Sequence, residues 1–169
     1  LPDLPVALPD RMRYLAHAMA EAESGWDFTP RFDRRCLDFN PVERTVTVEA
    51  GVVTQQVQDF ARAQGLFYPV SFASEGSSQV GGNIATNAGG IRVLRYGSTR
   101  ERVIGLKVET GRGDVLDCNR GLVKNASGYD LRHLFVRSEG TLGLICEATL
   151  RLADPPLPSR VVLLAAGTG

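Results

Sequence analysis

The sequence predicts an α+β fold, and three observations predict it. Apolar residues alternate as strands do at Thr45–Glu49, over residues 103–110 and from Leu142 to Leu152. Helical spacing appears twice, once near the start of the chain and once after Thr54. No repeating strand–helix–strand period and no internal repeat joins these segments, so a doubly wound parallel sheet is not indicated.

Taken in order, Pro9-Asp10 opens a helical pattern with Met12, Leu15, Met19 and Ala22 on one face, closed by Gly25. Residues 26–41 carry aromatics, prolines, arginines and aspartates without a period, and read as loop with a short strand over residues 37–39. The strand Thr45–Glu49 follows. Thr54 then reads as the cap of a helix bearing Val57, Phe60 and Ala61 and stopped at Gly65. Residues 103–110 and 115–118 flank Gly111-Arg-Gly-Asp114 as a hairpin. Residues 131–135 suggest a helical turn. Leu142, Leu144, Cys146, Ala148, Leu150 and Leu152 mark the inner face of a last strand, which Pro155, Pro156 and Pro158 end as a linker.

Composition narrows the function. The 169 residues, 43% hydrophobic and 22% charged, suit one globular domain with a fragment of a second. Zero formal net charge argues against a nucleic-acid surface or a polybasic membrane patch. Cys36, Cys118 and Cys146 are far apart and form neither a disulfide framework nor a zinc site. The apolar run at residues 161–166 is far too short to span a membrane. Without an initiator Met or a secretory leader, the chain reads as cytoplasmic and as a piece of something longer.

The most informative stretch is Gly81-Gly-Asn-Ile-Ala-Thr-Asn-Ala-Gly-Gly90, followed by Tyr96-Gly97. Two Gly pairs bracket small and amide residues, so the backbone can approach a ligand closely and aim several N–H groups at one acceptor. Its expected form is a loop with one short helical turn. Gly89 and Gly90 taken alone also fit simple turns. Tyr129 and Asp130 fit a hydrogen-bonded, fold-holding pair or a ligand contact. His133, between Leu131 and Phe135, reads as a packed core histidine rather than a base.

With Thr45-Val-Thr-Val-Glu-Ala-Gly51, with Lys124 and Gly128-Tyr-Asp-Leu131, and with Ser138-Glu-Gly-Thr-Leu-Gly143, this run resembles the FAD-linked oxidase family from about residue 45 to residue 156. Within it, the wording of residues 94–97 and 128–131 is closest to the D-2-hydroxyglutarate dehydrogenase branch of D-2-hydroxyacid dehydrogenases. The resemblance implies a vanillyl-alcohol-oxidase-type FAD-binding domain, present in part, and oxidation of a small 2-hydroxy acid by hydride transfer to flavin N5. It implies FAD contacts from Ser78, Gly81, Gly82 and Asn83 through their N–H groups, and from the side chains of Thr86 and Asn87. Gly89 and Gly90 belong to the same stretch, and Glu139, Gly140 and Ile145 would lie beside the adenine. It assigns no catalytic residue and no metal to this chain.

Three departures bear on that reading. The family's Arg-Gly-x-Gly-Thr phosphate loop has no counterpart in residues 1–44, where Gly25 is the sole glycine. Arg137 stands where the family has a small residue, often Gly. A substrate-binding cap would follow Pro158 and is not evident in residues 157–169. The expected organisation is therefore an N-terminal helix and loop over 1–42, the second half of an FAD-binding domain over 43–156, and a lead into a further domain over 157–169. A second, short resemblance lies in residues 12–42: Glu23-Ser-Gly-Trp-Asp-Phe28 with Arg31 is similar to a trehalase-like glycoside hydrolase segment, in which Asp27 would be the acid. Two other readings stay open: a non-catalytic remnant of the flavin fold, and a glycosidase fragment resting on Asp27.

Overall fold

The computed structural model describes residues 35–118 and 128–158. The helix expected over residues 10–25, the Asp27 motif, Lys124 and the apolar run at 161–166 lie outside the described residues.

Five strands form one antiparallel sheet in the order β1-β2-β5-β3-β4. They are β1 (Cys36–Asn40), β2 (Thr45–Glu49), β3 (Val103–Glu109), β4 (Val115–Asp117) and β5 (Leu144–Arg151). β2 forms where its sequence predicts, with Val46 and Val48 buried, but Thr45 and Glu49 are buried too, so only Thr47 departs from full burial. Its pairing with β5 runs from Thr45 opposite Arg151 to Glu49 opposite Glu147. β3 and β4 form the expected hairpin, closed where Thr110 N–H donates to the Asp114 carbonyl at 2.9 Å. β1 pairs with β2 along its length, so residues assigned by sequence to an N-terminal unit share the sheet.

β5 differs from its expected one-sided pattern. Leu142 lies before the strand and is 52% exposed, whereas Ile145 and Thr149 are buried together with Ala148 and Leu150. Central position explains this: β5 has strands on both edges and cover on both faces, so alternation with a solvent face is lost. An irregularity opposite Lys107 and Val108 also breaks the strict two-residue period.

Two helices pack on this sheet. Helix α1 (Thr54–Ala63) buries Val57 and Ala61 and ends before Gly65, which takes φ +70°. Its cap residue is Val53, not Thr54; the Val53 N–H donates to Gln56 Oε1 at 2.9 Å. Helix α2 (Val80–Thr86) is formed from the Gly-rich run itself, a longer helix than the single turn expected. Its inner face buries Val80, Gly81, Asn83 and Ile84. The turns α3 (Val93–Tyr96), α4 (Thr99–Arg102) and α5 (Arg132–Phe135) complete the element list among the described residues.

Thr54 has a different task from capping. Fully buried, it accepts from Asn83 Nδ2 at 2.6 Å, while its hydroxyl lies 2.9 Å from Ser78 Oγ. The Thr54 N–H donates to the Ser78 carbonyl, Val80 N–H to Val52 and Gly81 N–H to Ala50. This ladder holds the start of α2 so close to the end of β2 that a Cβ on Gly81 would sit 2.8 Å from Ala50 Cβ. A Cβ on the next residue, Gly82, would meet nothing within 4 Å.

Neighbouring glycines should therefore respond oppositely. Gly81→Ala should cost about 1–3 kcal/mol by overpacking, whereas Gly82→Ala should be neutral or add roughly 0.5–1 kcal/mol of helix stability. Urea unfolding midpoints of the two variants check this. Thr54→Val should cost about 1–3 kcal/mol, because it removes the short acceptor of the buried Asn83 amide and leaves only Ser78 Oγ at 3.4 Å.

Candidate functional site

The outer face of α2 carries two of the sequence-predicted site residues, Gly82 and Thr86. Gly82 and Thr86 are both exposed and one helical turn apart, joined as Thr86 Oγ1 donates to the Gly82 carbonyl at 2.9 Å. At the C-terminus Asn87 takes the left-handed conformation, φ 52° and ψ 52°. Asn87 N–H donates to the Ile84 carbonyl and Ala88 N–H to that of Asn83, the paired bonds of a Schellman motif. The Asn87 Oδ1 then accepts from Ser98 Oγ at 3.1 Å and from Arg100 N–H at 3.0 Å. That carbonyl oxygen fastens the run to α4, so the amide expected at a flavin edge has half its capacity engaged inside the protein.

Three backbone donors expected to face a ligand point elsewhere. Ser78 N–H donates to Ser74, Gly81 N–H to Ala50 and Asn83 N–H to Gln79, at 2.8, 2.8 and 3.0 Å. The reason is local: the residues they serve are in a seven-residue helix and its approach, and the helix start docks on the strand end. The Asn83 side chain is likewise turned inward to Thr54. Gly82 is left as the member of this group that borders open space.

Residues 137–140 form the second part. Arg137, Glu139 and Gly140 have φ of 71°, 53° and 77°. Arg137 N–H donates to the Ile84 carbonyl at 3.1 Å and Glu139 N–H to that of Ala85 at 2.9 Å. The loop is thereby bolted onto the carbonyl end of α2, which brings the two sequence-distant blocks together. The Glu139 N–H expected to read a base is spent in that contact. Gly140 stays exposed, with open space where a Cβ would be. Ile145 sits in β5 opposite Val108, its side chain in the core.

Gly89 and Gly90 make the turn after α2. Gly90, φ +96°, bridges to Ser71, and a Cβ there would fall 2.2 Å from the Ser71 carbonyl oxygen. Gly90 thus serves close backbone approach, whereas a Cβ on Gly89 would press on the Val93 side chain at 3.1 Å. Tyr96 packs edge-on against Phe67, ring centroids 5.6 Å apart.

Around α5 the structure corrects two readings. Tyr129 is almost wholly exposed, and Asp130 pairs with Arg132 through both Nε and Nη2 rather than with the tyrosine. Hydrogen bonding from Arg132 holds the Asp130 carboxyl below its ordinary range, with the Arg132 and His133 charges adding to it. His133 is not a core residue: its side chain is half exposed, its Nδ1 lies 2.9 Å from Arg100 Nη1 and its Nε2 3.5 Å from Asp130. Sequence reasoning missed Arg100, which also donates to the Val136 carbonyl at 2.9 Å. A charged residue in a four-residue turn carries no sequence signal for that role. Among the described residues no group of His, Cys, Asp and Glu can hold a metal, and no helix is long and apolar enough to cross a membrane.

Comparison with known proteins places this geometry. The family model for FAD binding domains matches residues 27–119, more than half of the chain. The chain belongs to this family of FAD-binding domains. The match begins at Asp27, so it takes in Asp27, Phe28 and Arg31 of the glycosidase-like segment and not residues 23–26. The chain is 66% identical over 129 residues to a D-2-hydroxyglutarate dehydrogenase of Xanthomonas citri pv. viticola, covering 76% of this chain and 27% of the relative. It is 58% identical over 132 residues to a D-2-hydroxyglutarate dehydrogenase of Stutzerimonas stutzeri, covering 78% and 28%. Among solved structures it resembles an alkyldihydroxyacetonephosphate synthase, with a TM-score of 0.64 and 25% identity over 74% of this chain and 22% of the other. The fold is thus the FAD-binding domain of the vanillyl-alcohol-oxidase type, and the chain spans about a quarter of the length of the curated relatives it matches.

Two outcomes follow from the geometry of the 130–140 region. Arg137→Gly should raise stability by about 1 kcal/mol, since glycine takes positive φ without the Cβ penalty; the thermal midpoint reads it. For Asp130 the folded carboxyl titrates below its ordinary value of 3.8. Its contribution is therefore present above that value and lost as pH falls through the lower folded value. Asp130→Asn should be less stable than the parent near neutrality and indistinguishable from it at the acid end of a pH series.

Proposed function

We propose that this chain is the FAD-holding portion of a flavoenzyme that oxidises a D-2-hydroxy acid. Two things support the reading: family membership, and the D-2-hydroxyglutarate dehydrogenases among its relatives, of which it spans about a quarter. The observation that carries the cofactor's position is the exposed Gly82–Thr86 face of α2, with Gly140 exposed on the loop bolted to that helix. A flat ring or a sugar–phosphate chain can lie against Gly82 because no Cβ intervenes. The Thr86 hydroxyl, its proton given to the Gly82 carbonyl, keeps lone pairs that can accept from it, and the Asn87 amide nitrogen has donors to offer. Of the remaining candidates, Ser78, Gly81 and Asn83 build the support behind that face, Gly89 and Gly90 turn the chain away from it, and Glu139 and Ile145 fix the loop and strand beside it.

FAD supplies the hydride acceptor when bound. This chain's own residues hold and orient it; the groups that bind the hydroxy acid and take its proton belong to polypeptide outside this chain. The FAD-binding unit drawn over 43–156 extends back to β1, which shares its sheet, and 157–169 leads toward a further domain. A cytoplasmic location accompanies this reading.

A second reading, a scaffold that has lost its cofactor, is favoured by one observation. The N–H groups of Ser78, Gly81, Asn83 and Glu139 are all spent inside the protein. The absorbance spectrum of protein incubated with FAD and desalted separates the two. A retained flavin band, abolished by Gly82→Val with the far-ultraviolet circular dichroism unchanged, is the expected result. A colourless but folded parent would select the scaffold. Gly82 suits this test because a Cβ there meets no protein atom within 4 Å, and the unchanged circular dichroism separates loss of flavin from loss of fold.

A further inference from the structure

Exposed apolar side chains gather on one side of α3. Ile91 is 83% exposed and Leu94 completely so, and Leu157 is 81% exposed beside Pro156. Ile91, Leu94 and Pro156 line an open groove of about 300 Å³ whose floor is Phe67 against Tyr96. Two guanidinium groups flank it, Arg92 at 5.0 Å over the Phe67 ring and Arg95 at 5.2 Å over the Tyr96 ring. Among the described residues neither makes an ion pair within 4 Å, although the Arg92 charge is near enough to Glu75 to help lower its carboxyl. Stacking holds both cations in place while leaving their hydrogen-bond donors to the groove.

An apolar patch with positioned cations on its walls marks a contact surface rather than ordinary solvent-facing protein. A second copy is a poor occupant, because a two-fold contact would bring Arg92 and Arg95 against their own copies. Polypeptide of the same protein is a better one: the chain spans 27% and 28% of the two relatives described above, and its described part runs along the groove rim at Pro156. Resting on the reading that this chain is one portion of a longer flavoenzyme, we infer that the α3 groove docks a segment of that enzyme's remaining polypeptide. The segment lays aliphatic side chains on Ile91 and Leu94 and sets carboxylates against Arg92 and Arg95.

The test is hydrogen exchange in the 169-residue chain and in a hybrid where it replaces the matching 129 residues of the Xanthomonas citri relative. Amides of residues 91–96 should exchange at least about tenfold more slowly in the hybrid. Ile91→Asp with Leu94→Asp should return them to the rate of the chain alone, and Arg92→Glu with Arg95→Glu should recover part of that difference. Leu116→Asp, on β4, should leave them unchanged. Equal rates in chain and hybrid overturn the proposal. If the hybrid does not fold, the intact relative is compared with its own excised matching segment, and equal rates there overturn it too. Sedimentation of the 169-residue chain as a dimer that Leu94→Asp dissociates would assign the groove to a second copy and overturn it. Flavin absorbance is recorded on the same samples: protection without flavin keeps the docking surface and removes the cofactor reading, and flavin without protection does the reverse.

Discussion

The docking of α2 onto the end of β2 is the constraint on which the rest of the site depends. Three backbone bonds, from Thr54, Val80 and Gly81, hold the two segments together, and the buried Thr54–Ser78–Asn83 cluster closes the gap between them. Buried hydroxyl and amide groups are costly unless every partner is in place, so this cluster specifies one position of the helix rather than a range. Everything outward of it inherits that position. The carbonyls at the far end of α2 receive residues 137 and 139, and Asn87 receives α4. One short helix therefore gathers segments that lie some tens of residues apart.

The same arrangement separates the glycines by purpose. Gly81 is small because Ala50 leaves no room; Gly90 is small because the Ser71 carbonyl is nearly in contact and the backbone is left-handed. Neither reason involves a ligand. Gly82 alone among the three would carry a Cβ with no protein atom within 4 Å. A Gly-rich run is thus partly a packing device and partly a surface, and side-chain clearance tells the two apart.

Arg137 illustrates the cost of a departure from the family pattern. Its backbone must be left-handed for its N–H to meet the Ile84 carbonyl while Glu139 meets Ala85. The loop accepts that strain because two hydrogen bonds and the buried Phe135 and Val136 over-determine it. The long side chain turns to solvent, so the penalty stays local and the fold is kept.

By itself the sequence determined the strands, the hairpin, the first helix and the flavin-domain family, because each rests on local periodicity or on a run of consecutive residues. β2 and α1 could be read directly from Val46 and Val48, and from Val57 and Ala61. Tertiary structure alone decided which polar groups of the Gly-rich run are free to act. Ser78, Gly81, Asn83 and Glu139 carry suitable donors in the sequence, but partners 4 to 54 residues away, Ser74, Ala50, Thr54 and Ala85 among them, consume those donors in the fold. It also decided that His133 is exposed against Arg100, and that β5 is covered on both faces. The physical reason is common to all: a hydrogen-bond donor has no fixed meaning until the fold brings an acceptor to it, whether from one turn of chain away or from a distant segment.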